Sequence, residues 1–240
     1  WNHQQLLHPY KALKNNVRDF FDTGWSQNHN VSLSGVSNDS KMTYYLSYSY
    51  AGDNGIMPGD KDKYTRNTLA FRNSYQANDW LKLSSSINFA RSNTDAGGSF
   101  QGTSVIDGLY ELPRDVSLLD KKDLSSPFNT PEAYFTPYGI TNPYWALENN
   151  YNHTDAKQIN GKVQADITPF KDLTLTYRFG FDYTDYDSKI GYPQISLDDK
   201  MITDDKGYAP SHMNQSGYVY TRYGRMYEFN HDFMANYKKK

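Results

Sequence analysis

The histidines of this sequence show no spacing that supports metal binding or catalysis. The chain has six histidines, all isolated from one another, and no cysteine that could complete a metal site or act as a nucleophile. The sequence also lacks a glycine-rich phosphate loop and the G-x-S-x-G motif of a serine hydrolase. We therefore predict that the protein is not an enzyme and needs no cofactor.

Acidic residues come close together at three places where calcium binding has to be considered. Calcium takes about six to eight oxygen ligands around one point, and none of these places has the spacing of an EF-hand loop. We therefore predict solvated, charged loops, with a calcium site as the alternative. The residues are Asp60 and Asp62, Asp198 and Asp199, and Asp204 and Asp205.

Polar side chains at alternate positions are better candidates for a function. Residues 173–183 carry an apolar or aromatic side chain at every odd position and polar residues or Gly180 between them. Such alternation is typical of a strand with one apolar and one polar face. If the apolar face meets lipid, the polar face lines an interior. Its side chains would contact a plug, which we favour, or a passing solute: Arg66, Arg72, Lys82, Asn88, Lys162, Gln164, Asp166, Arg178 and Asp182.

The same alternation recurs along the chain and predicts an all-β fold with almost no helix. The one helical candidate is residues 16–23 near the beginning of the chain. We count about seven strands, at residues 30–34, 42–51, 64–76, 81–91, 157–167, 173–183 and 228–237.

The connections between these strands alternate in length, which narrows the fold further. Three are short turns and three are long loops, the long ones being residues 52–63, 93–154 and 185–217. In an up-and-down meander, all short turns then lie at one end and all long loops at the other. Soluble sandwiches and propellers have no physical reason for this asymmetry, whereas outer-membrane barrels do.

Composition and strand length agree with an antiparallel up-and-down transmembrane β-barrel. The chain has 38 aromatic residues among 240, of which 22 are tyrosines. The clearest strand has 11 residues, which matches the roughly 9–11 that a tilted strand needs to cross a bilayer. Aromatic residues stand near both ends of the strands, as in interfacial girdles. The net charge of −2 argues against a nucleic-acid partner.

Seven strands cannot span a bilayer alone, because the open sheet edges would leave backbone groups without hydrogen bonds in the lipid. Bacterial single-chain barrels also have an even number of strands. We therefore expect a fragment of a larger barrel. Residues 1–24 are predicted to be a surface loop with a short helix, residues 25–237 part of the barrel, and residues 238–240 a truncated end.

Several short motifs resemble the SusC/RagA family of TonB-dependent outer-membrane transporters. Residues 19–24 (DFFDTG) and 30–35 (NVSLSG) are similar to the family's DFF-x-TG and VSLSG, although Val36 stands where the family usually has a second glycine. Residues 43–49 (TYYLSYS) resemble its TYRLSYS strand, and residues 142–145 match its NPYW. The similarity is collinear from about residue 16 to residue 237.

The resemblance implies a 22-stranded, plugged barrel in the outer membrane of a Gram-negative, Bacteroidota-like cell. It also implies a SusD-like surface lipoprotein that closes over the long loops as a lid. The expected activity is TonB-driven import of oligosaccharides or oligopeptides. The family's plug, TonB-contact segment and closing strand have no counterpart in these 240 residues, so energy coupling rests on the resemblance alone.

Aromatic residues in the long loop 93–154 are candidates for stacking on sugar rings, whose flat apolar faces suit aromatic side chains. We favour the alternative that they pack within the loop or against a lid. Two other functions stay open: a soluble or surface-attached β-rich binding protein, and a barrel that acts as a docking component of a cell-surface assembly. The loop aromatics are Tyr110, Tyr134, Phe135, Tyr138, Tyr144 and Trp145.

Overall fold

The computed structural model describes residues 10–97, 104–127, 129–131, 141–195 and 216–238. Its main feature is one antiparallel sheet of seven strands, in which every strand pairs with its neighbours in sequence. This confirms the predicted all-β fold with an up-and-down order. The strands are β1 (Trp25–Val36), β2 (Met42–Asn54), β3 (Lys63–Asn78), β4 (Leu81–Ala96), β5 (Tyr151–Phe170), β6 (Leu173–Tyr192) and β7 (Tyr218–Tyr237).

The strands extend well beyond the segments that the sequence pattern marks. Strands β5, β6 and β7 have 20 residues each, so the long connections shrink to residues 55–62, 97–150 and 193–217. The apolar alternation stops early because charged side chains such as Asp185 and Asp187 replace apolar ones, while the hydrogen-bonded ladder continues. The short connections lie at one end of the sheet, the short-turn end, and the long ones at the opposite, long-loop end.

The register divides the sheet into an apolar face and a polar face. Directly paired residues of antiparallel strands share a face, so the ladders can be followed across all seven strands. One row on the apolar face runs Leu33, Leu46, Phe71, Ile87, Gly161, Phe181, Phe229. The row beside it on the polar face runs Ser32, Ser47, Ala70, Asn88, Asn160, Asp182, Glu228.

Aromatic rings lie over glycines on the neighbouring strand at four places. A Cβ atom on Gly161 would lie 2.7 Å from the ring of Phe181, the residue directly opposite. Such aromatic–glycine pairs help to fix strand register, because the ring fills the space that the missing side chain leaves. The four pairs are Gly35 with Tyr44, Gly161 with Phe181, Gly191 with Tyr151, and Gly224 with Tyr186.

The compact hydrophobic core lies outside the sheet, among the connections at the long-loop end. It joins the segment before β1, the loop 55–62 and the loop between β4 and β5. We call it the loop core, and its fully buried side chains include those of Phe20, Leu109 and Leu118. The predicted helix over residues 16–23 is only a 3-10 turn, Arg18–Phe20, whose last residue belongs to this core.

The loop core contains two short helices that the sequence pattern did not mark, and the fold is otherwise as poor in helix as predicted. They are α1 (Val105–Glu111) and α2 (Pro143–Asn149). Asn142 caps α2 by accepting a hydrogen bond from the Tyr144 N–H (3.0 Å), and proline occupies the first turn. Seven residues are too few for helical periodicity to show, so the only sequence signals are the capping residues, Ser104 before α1 and Asn142 with Pro143 at α2.

Three asparagines hold the loop core together through bonds to backbone groups. Asn142 is fully buried, and its amide donates to the carbonyls of Lys121 (3.0 Å) and Asn129 (2.7 Å). Asn129 donates to two further carbonyls, and Asn16 bridges residues 116 and 118. Buried polar groups that are satisfied in this way rigidify a structure.

Neither helix in the described residues has the length and apolarity that a membrane-crossing helix requires.

Candidate functional site

All nine polar residues that the alternation singles out lie on the polar face of the sheet. Arg72 and Lys162 belong to one row across the strands, Asn88 and Asp182 to another, and Lys82 pairs directly with Asp166. Gln164 pairs with Arg178, and Arg66 lies closer to the long-loop end. The register therefore places them on one continuous surface, although that surface's role as the lining of a lumen stays a prediction.

The part of this surface near the short-turn end is a self-contained network. The Arg178 Nε donates to the Gln164 Oε1 (3.0 Å), and the Gln164 amide donates to the Asp166 carboxylate (3.0 Å). The Thr176 hydroxyl donates to the same carboxylate (2.6 Å), and the Arg178 Nη1 lies 3.7 Å from the Asp232 carboxylate. Thr176 and Asp232 were not on the predicted list, and only the register reveals them. The polar groups of this network are therefore largely hydrogen-bonded or ion-paired with one another.

Farther from the short turns, fewer side chains of the polar face form hydrogen bonds or ion pairs with one another. Asn88 donates to Asn160 (2.9 Å), but the carboxylates of Asp182 and Glu228 stand directly opposite each other. Within the described residues, neither carboxylate has a hydrogen bond or ion pair. Like charges at such positions repel, and Lys162 stands one row nearer the short-turn end. This region is therefore suited to bind a charged or polar group from outside the sheet.

The apolar face carries a band whose height matches a bilayer. The band runs from the row of Leu173 and Tyr237 to the row of Tyr183 and Tyr227. Ten residues of strand rise about 33 Å, and a tilt of about 40° reduces this to about 25 Å, the height of the lipid-facing band of a barrel. We call these rows the apolar band.

The polar side chains within the apolar band pair with one another. The Ser85 hydroxyl donates to the Asn73 side-chain carbonyl, and Tyr177 and His231 share a hydrogen bond of 2.9 Å. Trp80 and Phe170 lie exposed at the short turns, and Tyr48 lies in the last row at the other end. These positions agree with the two predicted aromatic girdles.

Charged residues take over on the same face immediately beyond the apolar band. The next row contains Arg91, Lys157, Asp185 and Arg225. Arg91 forms a close ion pair with Asp155 (2.6 Å). The change from apolar to charged side chains within one row marks a sharp boundary between two environments, and the strands continue past it by up to nine residues of β6.

The structure gives the loop aromatics different environments. Tyr144 is only 7% exposed, and its ring centroid lies 4.7 Å from that of Phe20 in the loop core. Burial raises the pKa of Tyr144 to about 12, and the nearby Asp22 carboxylate contributes. Tyr144 therefore packs within the loops and is not free to stack on a sugar. Trp145 is partly buried and Tyr110 exposed, while Tyr134, Phe135 and Tyr138 lie outside the described residues.

The acidic residues of the loop 55–62 organise their own backbone. The Asp62 carboxylate accepts hydrogen bonds from the N–H groups of Ile56 (2.9 Å) and Met57 (3.0 Å). Asp60 accepts from the Asn54 amide (2.7 Å), and Lys61 forms an ion pair with Glu148 of α2 (2.9 Å). Among the described residues there is no group of three or more side chains that could hold a metal ion. The pairs 198–199 and 204–205 lie outside those residues.

Comparison with known proteins shows the fold of this chain. No protein-family model matches it, and no curated protein matches it in sequence. Among solved structures it is similar to chains of the RagAB peptide importer in the closed-closed state (TM-score 0.57, 94% of this chain covered) and the open-open state (TM-score 0.58, 91% covered). A further structure of the RagAB peptide transporter gives a TM-score of 0.56. All three are 17% identical, and this chain spans 31% of their length.

Proposed function

We propose that this chain is part of the barrel wall of a TonB-dependent outer-membrane importer of the SusC/RagA kind. The observation that carries the proposal is the apolar band, about 25 Å high, on the opposite side of the sheet from a polar face. A lipid-facing surface and a lining for polar solutes require this division. The sequence motifs and the likeness of fold to chains of a peptide importer support it.

In the proposed mechanism the chain does no covalent chemistry. A SusD-like lipoprotein would close over the long-loop end, where the packed loop core would provide a rigid contact surface. Polar solutes, either oligosaccharides or oligopeptides, would pass along the polar face once TonB displaces a plug. The network of Gln164, Asp166 and Arg178 is suited to contact the plug, because its groups are already satisfied and need no solute. The region of Lys162 and Asp182 is suited to contact the solute.

The open edges at β1 and β7 would pair with further strands in the complete barrel. A bilayer offers no water to the backbone groups of an open edge, so the proposal requires that both edges be closed there. A soluble β-rich binding protein, the competing class, would instead expose Val31, Phe229 and Phe233 to water.

The proposal can be tested with the full-length protein expressed in a Gram-negative host. We expect it to fractionate with the outer membrane and to migrate faster in detergent gels before boiling than after, as folded barrels do. A known outer-membrane barrel and a periplasmic binding protein serve as controls for the two outcomes. Recovery of the folded protein in the soluble fraction would contradict the proposal.

A further inference from the structure

Tyrosines gather at one corner of the polar face, beyond the apolar band. In the described strands this face carries six tyrosines, and four of them lie on β6 and β7 at the long-loop end. Tyr186 and Tyr192 follow Tyr183, the last band residue of β6, by three and nine residues. They therefore lie about 10 and 30 Å farther along the strand. We call Tyr186, Tyr192, Tyr218, Tyr220 and Arg222 the tyrosine platform.

Three rings of the platform, those of Tyr192, Tyr218 and Tyr220, lie side by side. Tyr192 stands directly opposite Tyr218, with ring centroids 6.2 Å apart, and Tyr218 and Tyr220 are 6.4 Å apart and nearly parallel, at 5°. The side chains of Tyr218 and Tyr220 are 51% and 43% exposed. Both residues are therefore partly accessible to a ligand.

Arg222 lies at the end of the platform nearer the apolar band, beside Tyr186. The ring of Tyr186 lies over Gly224, and the guanidinium of Arg222 lies 5.5 Å from the centre of that ring. Among the described residues Arg222 has no ion pair, so its charge is available to an anion.

The position on the face of the sheet decides which ligand chemistry fits. A peptide that adds a strand needs main-chain groups at a sheet edge, whereas the platform offers ring faces, hydroxyls and one guanidinium. Ring faces suit the flat apolar sides of sugars, and a guanidinium suits a carboxylate or sulfate. The expected ligand therefore combines sugar rings with an acidic group.

We infer that the tyrosine platform binds acidic oligosaccharides, stacking their rings on Tyr192, Tyr218 and Tyr220 and pairing their carboxylate or sulfate with Arg222. The inference rests on the proposed function and narrows its substrate class. In the importer, this site would hold the solute above the membrane before it enters the polar passage.

The test uses the full-length protein in detergent, after its heat-modifiable migration has been verified. The probes are an array of neutral oligosaccharides, carboxylated and sulfated oligosaccharides, and short peptides, followed by titration of the best probe. We expect the acidic oligosaccharides to bind more tightly than their neutral counterparts and than the peptides. Replacing both tyrosines in the double variant Tyr218→Ala/Tyr220→Ala should weaken it roughly tenfold.

Charge and face are tested by matched variants of the same strand. Arg222→Gln should weaken acidic probes roughly tenfold, while binding of their neutral counterparts stays unchanged. Tyr223→Ala and Arg225→Gln change the same residue types on the apolar face of β7, and both should bind like the unaltered protein.

Three results would overturn the inference while the barrel stays folded. They are peptides as the preferred probes, no oligosaccharide binding at all, or losses in the Tyr223→Ala and Arg225→Gln variants equal to those on the platform. If the protein shows no heat-modifiable migration, the proposed function itself fails, so the two failures can be told apart.

Discussion

Three valines on the apolar face allow the bilayer to be tested as a function of height. Val163 lies in a middle row of the apolar band, Val31 in its last row, and Val219 beyond it, opposite Gly191. These valines are 52%, 72% and 67% exposed. If all three faced water, replacing each by arginine should therefore change stability by similar amounts. An arginine facing lipid costs about 2–4 kcal/mol at the midplane and about 0–1 near the interface.

We therefore predict a gradient of destabilisation in the order Val163→Arg, Val31→Arg, Val219→Arg. Relative to the unaltered protein, the folding equilibrium constant should fall roughly 30- to 700-fold for the first variant and less than about fivefold for the last. The assay is denaturant unfolding of the full-length protein in phospholipid vesicles, with the heat-modifiable fraction as the readout. Equal effects at all three positions would refute the reasoning, because they would mean that the three side chains meet the same solvent.

Three further predictions concern the loop core and the strand register. Asn142→Ala removes the cap of α2 and two buried bonds, so residues 104–150 should be cut faster by protease, at a cost of about 2–3 kcal/mol, while heat-modifiable migration persists. Gly161→Ala should destabilise the barrel by about 1–3 kcal/mol, because its Cβ meets the ring of Phe181; Gly180→Ala, whose nearest atoms are 3.9 Å away, should unfold like the unaltered protein. Since burial raises the pKa of Tyr144 to about 12 from 10.0, the loop core should lose stability as pH rises from 10 to 12, and Tyr144→Phe should abolish this loss in protease assays.

Period-two alternation was sufficient to predict the strands and faces in the apolar band. In β6, for example, residues 173–183 alternate between apolar and polar side chains. The residue types alone therefore predict which side chains share a face. The same reasoning placed Lys82, Gln164 and Arg178 on one surface.

The sequence pattern was insufficient wherever contacts between strands decide the structure. The pattern does not mark the strand extensions, because charged residues such as Asp155 and Asp185 occupy the apolar face there and pair with arginines on neighbouring strands. The tyrosine platform depends on the pairing of Tyr192 with Tyr218, which requires the register of two strands separated by a long loop. Likewise, burial of Tyr144 depends on Phe20, more than a hundred residues earlier.

Neighbouring residues 162 and 163 of β5 test most directly whether lipid and water meet opposite faces of this sheet. These 240 residues contain no cysteine. In the full-length protein, with any cysteine elsewhere replaced by serine, Lys162→Cys and Val163→Cys can each carry a single spin label in vesicles. We predict that the label at Val163 is relaxed by oxygen, which concentrates in lipid, and is shielded from a water-soluble nickel complex. The label at Lys162 should be shielded from oxygen relative to the label at Val163. Strong relaxation of the Val163 label by the nickel complex would contradict the account.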